Sequence, residues 1–75
     1  MTKQQILEKY NALDKSGKDR IGRRVKAFLK DEGFNLTNSA LHFWRKNDCN
    51  SHLERFYIAA YRFAFDEVDA LAAQN

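Results

Sequence analysis

The chain has 75 residues, a formal net charge of +3, no proline and a single cysteine, Cys49. One thiol excludes an internal disulfide, and one cysteine with two histidines is too few for a zinc site built from those residues alone. We therefore expect neither a metal nor another cofactor. No apolar run approaches the roughly 18 residues of a membrane span, and the N-terminus is polar, so we expect an intracellular, cytoplasmic protein.

The lack of proline, together with only three glycines, predicts an all-α fold in one domain covering residues 1–75. We expect five helices joined by short turns. The first begins at the capping residue Thr2 and continues to about Asp14. Its apolar positions recur at helical spacing and predict a buried stripe. They are Ile6, Leu7, Tyr10 and Leu13.

The second predicted helix is strongly basic. Ser16, followed three residues later by Asp19, approximates a capping box, and Gly33 is suited to the left-handed residue that ends a helix. Seven basic residues and one acid lie between Lys15 and Lys30. Such a run indicates either a solvated helix face or a phosphate-binding patch. The apolar stripe of this helix consists of Ile21, Val25, Phe28 and Leu29.

The third helix is expected from the cap Thr37 to about Lys46, followed by Asn47 in a left-handed conformation. Leu41 and Trp44 fall on one face and predict burial there. The other face carries amide, hydroxyl, imidazole and cationic groups, which can hydrogen-bond base edges and pair with phosphates. We therefore interpret it as a recognition helix. The residues concerned are Asn38, Ser39, His42, Arg45 and Lys46.

Two more helices are predicted after a polar loop at residues 48–50. Ser51 and Glu54 form the capping-box pattern of the fourth helix, and Asp66 is the expected cap of a short fifth helix from Glu67 to Ala73. Phe65, Val68 and Leu71 form the apolar side of this last helix. The complete predicted core comprises Leu13, Ile21, Val25, Phe28, Leu41, Trp44, Leu53, Ala60, Phe63 and Val68.

The order of these signals resembles the Cro/repressor-type (lambda-repressor-like) helix-turn-helix family of phage and bacterial DNA-binding proteins. The likeness covers about residues 16–71 and rests on Gly33-Phe34, on Thr37 with its buried partners, and on the run from Leu53 to Val68. The stretch from Gly33 to Thr37 is longer than the usual turn of that family. The resemblance implies a compact five-helix domain that places its third helix in the major groove, and a role as a transcriptional regulator such as a repressor.

This interpretation assigns two sets of contacts to double-stranded DNA. The start of helix 2 and the ends of helix 3 are expected to bind phosphates, because a helix N-terminus adds unpaired N–H groups to cationic side chains. The predicted phosphate contacts are Lys18, Arg20, Arg23, Arg24, Thr37 and Lys46. The predicted base contacts are Asn38, Ser39, His42 and Arg45. We also expect a homodimer, formed through Phe65, Val68 and Leu71 or through helix 1.

Catalysis is not expected, because no nucleophile has a base beside it in sequence and no phosphate-binding glycine loop is present. A small-molecule substrate is not expected either. The alternative to DNA binding is a small helical protein-interaction module, for example an inhibitor or an antitoxin-like partner. Such a module would dock through its C-terminal helix or an aromatic face. Salt-dependent retention on heparin or duplex DNA distinguishes the two hypotheses.

Overall fold

The computed structural model describes residues 1–47 and 52–73. Within those residues the chain is all-helical and has no strand, which confirms the predicted class. The helices are α1 (Lys3–Asn11), α2 (Lys15–Asp31), α3 (Asn38–Lys46) and α4 (Glu54–Ala73). The most extensive packing is between α2 and α4, and α1 also lies against α4. None of these helices is long and apolar enough to cross a membrane.

The start of α1 is the predicted one. The backbone N–H of Gln5 donates to the Thr2 hydroxyl at 3.2 Å, and the N–H of Thr2 donates to the Gln5 side chain at 2.9 Å. This reciprocal capping box satisfies two backbone donors that the first turn leaves unpaired. The helix ends at Asn11, earlier than the predicted Asp14, because Asp14 begins the next helix.

The cap of α2 differs from the predicted one. Asp14 is the N-cap, and its carboxylate accepts the N–H of Gly17 at 2.7 Å, so the predicted start at Ser16 is wrong. A carboxylate is favoured at this position because it accepts the hydrogen bond and also opposes the positive end of the helix dipole. At the other end Gly33 has φ +94°, and the N–H of Phe34 returns to the carbonyl of Leu29, as predicted for a glycine-terminated helix.

Both ends of α3 lie where predicted, from the cap Thr37 to Lys46, but the backbone conformation of Asn47 differs from the predicted one. The Thr37 hydroxyl accepts the N–H of Ala40 at 3.1 Å, which fixes the first turn. Asn47 has an extended backbone (φ −122°, ψ 139°), so the predicted left-handed residue is wrong. Its side-chain amide instead donates to the carbonyl of Phe43 at 2.9 Å. The same carbonyl accepts the backbone N–H of Asn47 at 3.1 Å, so both donors of Asn47 close the last turn of the helix.

The C-terminal segment is one helix. Glu54–Ala73 continues through Asp66 without interruption, so the predicted fifth helix is wrong and the described residues form four helices. Neither glycine nor proline occurs in this segment. Asp66 therefore lies on the surface of the helix, 3.9 Å from Arg62 one turn earlier. The predicted cap Ser51 and the loop at residues 48–50 lie outside the described residues.

One hydrophobic core joins the helices, with Trp44 stacked against two tyrosines. The centroid of its ring is 4.9 Å from that of Tyr57 and 5.6 Å from that of Tyr61. The indole Nε1 is buried without a hydrogen-bond partner among the described residues, so packing of the ring holds the side chain in place. The buried residues are Ile6, Ile21, Val25, Leu29, Leu41, Trp44, Tyr57, Ala60, Tyr61, Ala64 and Phe65.

Most of the predicted core residues face inward. Five are buried, namely Ile21, Val25, Leu41, Trp44 and Ala60, and Leu13, Phe28, Leu53 and Val68 are half-buried against them. Phe63 is the error, because it is 46% exposed and lies at the surface with its ring 5.3 Å from that of Phe28. Its neighbour Ala64 takes the inward position and is fully buried.

Candidate functional site

A groove of about 610 Å³ lies between α2 and α3, and we call it the α2–α3 groove. Tyr10 of α1 also borders it. From α2 it is lined by Lys18, Asp19, Gly22, Arg23 and Lys26. From α3 it is lined by Asn38, Ser39, Leu41, His42 and Arg45. Each set recurs at intervals of three and four residues, so each is one continuous face of its helix.

The groove is basic. Its described lining contains four cationic side chains and one carboxylate, that of Asp19, which gives a local net charge of +3 with His42 neutral. The whole chain also has a net charge of +3, so the remaining charges balance. Cationic residues gathered along a concave surface concentrate anions there, because their fields add where solvent is partly excluded. The four cations are Lys18, Arg23, Lys26 and Arg45.

Arg45 is held in place by two aromatic residues. Its Nη1 donates to the Tyr61 hydroxyl at 2.6 Å, and its guanidinium carbon lies 4.3 Å from the centre of the Tyr10 ring. A guanidinium on an aromatic face is attracted by the ring quadrupole, and the hydrogen bond fixes its rotation. The cation is therefore ordered before any ligand arrives.

The phenol that accepts this hydrogen bond stays neutral. Burial raises the pKa of Tyr61, although the charge of Arg45 and its hydrogen bond both lower it. Tyr10 and Tyr57 add smaller upward contributions. Because burial has the largest effect, the Tyr61 pKa lies above its ordinary value of 10.0.

The exposed face of α3 provides unused hydrogen-bonding groups. Asn38, Ser39 and His42 are exposed, and their side chains make no hydrogen bond to another described residue. An amide, a hydroxyl and an imidazole together supply both donors and acceptors. They lie beside the cations of α2, so the groove combines charge with directional hydrogen bonding.

Four predicted contact residues lie outside the groove. Arg24 faces α4 and pairs with Glu67 at 3.2 Å, and only 25% of its side chain is exposed. Arg20 is exposed on α2 away from the groove, and the hydroxyl of Thr37 caps α3. Lys46 borders a smaller adjoining depression of about 260 Å³. Lys18 and Arg23 therefore lie in the groove with all four predicted base contacts, and the other four predicted phosphate contacts lie outside it.

The predicted dimer interface does not lie on one surface. Phe65 is 2% exposed, and its ring lies 6.4 Å from that of Tyr61, so its assignment to an interface is wrong. Val68 is half-buried against the core, whereas Leu71 is 46% exposed. The cause is the continuity of α4, which keeps Phe65 on the same inward face as Tyr61 instead of starting a new helix.

Five residues that line the groove were not predicted as contacts, namely Tyr10, Asp19, Gly22, Lys26 and Leu41. The spacing of Lys18, Gly22 and Lys26 by four residues was the available signal, because it places them along one face of α2. A Cβ atom at Gly22 would meet nothing within 4 Å, so this glycine opens the groove and is not required by packing.

No metal site is formed by the residues that the structure describes. Residues 1–47 and 52–73 contain no group of three or more His, Cys, Asp or Glu side chains able to hold an ion. Cys49 lies outside these ranges.

Comparison of the chain with protein-family models, with curated proteins and with solved structures gave no match. Its function is therefore inferred from the residues of the α2–α3 groove.

Proposed function

We propose that the protein binds double-stranded DNA through the α2–α3 groove and acts as a sequence-specific transcriptional regulator. The observation that carries this proposal is the position of Asn38, Ser39 and His42 in the same groove as Lys18 and Arg23. Phosphate contacts fix a protein on the duplex, and base contacts select the sequence. A surface that combines both kinds of group supports sequence-specific binding.

In this proposal α3 enters the major groove, as the third helix does in the helix-turn-helix family that the sequence resembles. Its polar residues lie in the first two turns, and recognition helices contact base edges mainly with N-terminal residues. The amide of Asn38 suits adenine, and the guanidinium of Arg45 suits guanine. Residues 32–37 join the two helices, a longer connection than the turn of three or four residues typical of the motif.

The proposed phosphate contacts are revised by the geometry. Lys26 joins Lys18 and Arg23, and Arg24 is left out because it pairs with Glu67. Gly22 lies between these cations and has no side chain, so the DNA backbone can approach the helix closely there.

A salt titration tests the electrostatic part of the proposal. Binding to duplex of random sequence should weaken linearly on logarithmic axes as salt rises, with a slope of about −0.9 for each phosphate neutralised. Arg23→Ala should reduce the slope by about one on every sequence. Lys30→Ala is the matched control, because Lys30 is exposed on the same helix and does not line the groove. Equal effects of the two substitutions would contradict the proposed groove.

Selection from random duplexes tests sequence reading. A preferred site should emerge, and Asn38→Ala should cost about 1 to 3 kcal/mol on that site and little on random DNA. Because Asn38 is exposed, the substitution leaves the core intact. A preference that survives this change would remove α3 from the recognition surface.

The alternative function is a protein-interaction module of the inhibitor or antitoxin-like kind. Two exposed phenylalanines favour it, since Phe43 is 59% and Phe63 is 46% exposed. Large aromatic residues at the surface are common in protein interfaces. This function replaces DNA binding if the chain shows no salt-dependent affinity for duplex.

A further inference from the structure

The outward face of α4 forms a second concave surface, which we call the α4 face. With Met1 it borders a groove of about 470 Å³. Phe63 is 46% exposed there, and the side chains of Arg62 and Asp66 are each 68% exposed. No residue of this face lines the α2–α3 groove. The α4 face consists of Arg55, Ile58, Ala59, Arg62, Phe63 and Asp66.

The order of residues on this face is self-complementary. The six positions are symmetric about the midpoint between Ala60 and Tyr61, so an antiparallel copy of the helix centred there meets the same positions in reverse. Arg55 then lies opposite Asp66 of the second copy. Ile58 lies opposite Phe63 of the second copy, and the small Ala59 lies opposite Arg62 of the second copy. An interface with a twofold axis requires this kind of reciprocity, because each contact is made twice.

We propose that the α4 face binds a second copy of this chain and forms an antiparallel, twofold-symmetric dimer. Two Arg55–Asp66 ion pairs lie at its ends, and two Ile58–Phe63 contacts lie between them. The formation of this dimer is separate from DNA binding and does not depend on it. It also places the subunit interface on a different face of α4 from the predicted Phe65, Val68 and Leu71.

The charged groups on the α4 face can make these contacts. Asp66 is 3.9 Å from Arg62 of its own helix, a long and exposed pair that leaves carboxylate lone pairs for another donor. The Arg55 guanidinium lies 5.0 Å from the centre of the Phe56 ring, and it forms no ion pair with another described residue. An antiparallel copy places Arg55 opposite the Asp66 carboxylate, whereas a parallel copy in register would place Arg55 opposite Arg55 and Asp66 opposite Asp66, so the antiparallel arrangement is favoured.

The size of the face sets the expected strength of the dimer. From Arg55 to Asp66 the helix extends about 16 Å at 1.5 Å per residue. A single helix pair of this length falls in the class of small interfaces, below roughly 1,200 Å² in total, which form weak complexes. We therefore expect dissociation in the micromolar to millimolar range. A duplex carrying two half-sites would strengthen the association by holding the subunits together.

Sedimentation equilibrium on the full chain, at low salt and up to millimolar concentration, tests the dimer. The wild-type chain should show a monomer–dimer equilibrium. Arg55→Asp and Asp66→Arg should each weaken it by about tenfold or more, because each creates two like-charge pairs. The double variant R55D/D66R should restore association, since the exchanged charges again face opposite ones. Asp31→Arg changes the charge by the same amount as Asp66→Arg at an exposed site on α2, and it should leave the association unchanged.

Phe63→Asp provides an independent test of the apolar contacts. Phe63 is exposed in the monomer, so the helical circular dichroism signal should persist while the dimer is lost. A wild-type chain that remains monomeric at every concentration overturns the proposal. A dimer that survives Phe63→Asp, or a double variant as weak as the single ones, overturns it as well. Nonspecific DNA binding by monomeric R55D should persist, so the two proposals fail separately.

Discussion

At the residue scale, Trp44 and Phe43 show how one position along a helix separates core from surface. Trp44 is 1% exposed, whereas Phe43 beside it is 59% exposed. Both are large aromatic side chains in the middle of α3. Their contributions to stability therefore differ because of the face they occupy and not because of their hydrophobicity.

Trp44→Ala should destabilise the fold by about 3 to 5 kcal/mol, since it removes a large buried ring and leaves a cavity. A loss of that size is comparable with the total stability of a small domain, so the variant should be largely unfolded. Phe43→Ala is the matched control and should change the free energy of unfolding by less than about 0.5 kcal/mol. Urea denaturation followed by circular dichroism measures both. Similar midpoints for the two variants would contradict the arrangement of α3.

Tyr61 gives the fold a dependence on alkaline pH. Its pKa is raised by burial above 10.0, so the folded state holds the phenolic proton more tightly than the unfolded state does. The contribution of the protonated Tyr61 to the free energy of unfolding is therefore fully present below pH 10, and it is lost as the pH rises through the folded-state pKa. The melting temperature of wild type should fall in that interval more steeply than that of Tyr61→Phe. Parallel curves for the two proteins would show that the phenol does not contribute.

At the element scale, local signals were sufficient where one residue decides the structure. The Thr2 and Thr37 caps and the terminal Gly33 were predictable because each acts on its own turn of helix. Asp14 and Ser16 are both good caps, and the choice between them depends on where α1 ends. The continuity of α4 through Asp66 was not predictable from propensity, because aspartate can either cap a helix or lie on its exposed face.

The cap assignment at α2 can be checked by a pair of substitutions. Asp14→Ala should cost about 1 kcal/mol, because the N–H of Gly17 loses its acceptor. Ser16→Ala should have little effect or stabilise slightly, since Ser16 is an exposed residue in the first turn and alanine favours helix. Thermal unfolding of the two variants decides the matter. A larger loss of stability for Ser16→Ala than for Asp14→Ala would indicate that Ser16, the predicted residue, is the N-cap.

At the scale of the whole molecule, helix faces were predictable and the pairing between distant helices was not. The polar residues of α3 were identified as contacts because they lie on one face of that helix, and Lys18 and Arg23 because they lie near the start of a basic helix. Arg24 was assigned to phosphate because nothing in the local sequence shows that Glu67, 43 residues away, is its partner. The same limit applies to Phe63 and Phe65, whose burial depends on how α4 packs on α2.

Gly22 links the stability of the molecule to its proposed binding. Gly22→Ala should stabilise the fold by about 0.5 to 1 kcal/mol, because glycine is unfavourable inside a helix and the added methyl meets no atom within 4 Å. The same methyl should weaken DNA binding, since it projects into the α2–α3 groove where backbone approaches phosphate. Melting and duplex titration of one variant measure both effects. A stabilised variant whose affinity for DNA is unchanged would indicate that DNA does not bind in the α2–α3 groove.

Because Trp44 is buried against Tyr57 and Tyr61, its intrinsic fluorescence reports whether the chain is folded. Trp44 is the only tryptophan, so all indole fluorescence comes from one site. Emission should be blue-shifted in the folded chain and should move to longer wavelength on unfolding, because the ring then meets water. Trp44 is 1% exposed and does not line the α2–α3 groove, so a ligand there should leave the emission maximum in place. A single fluorescence titration therefore distinguishes a variant that has lost its fold from one that has lost only its binding.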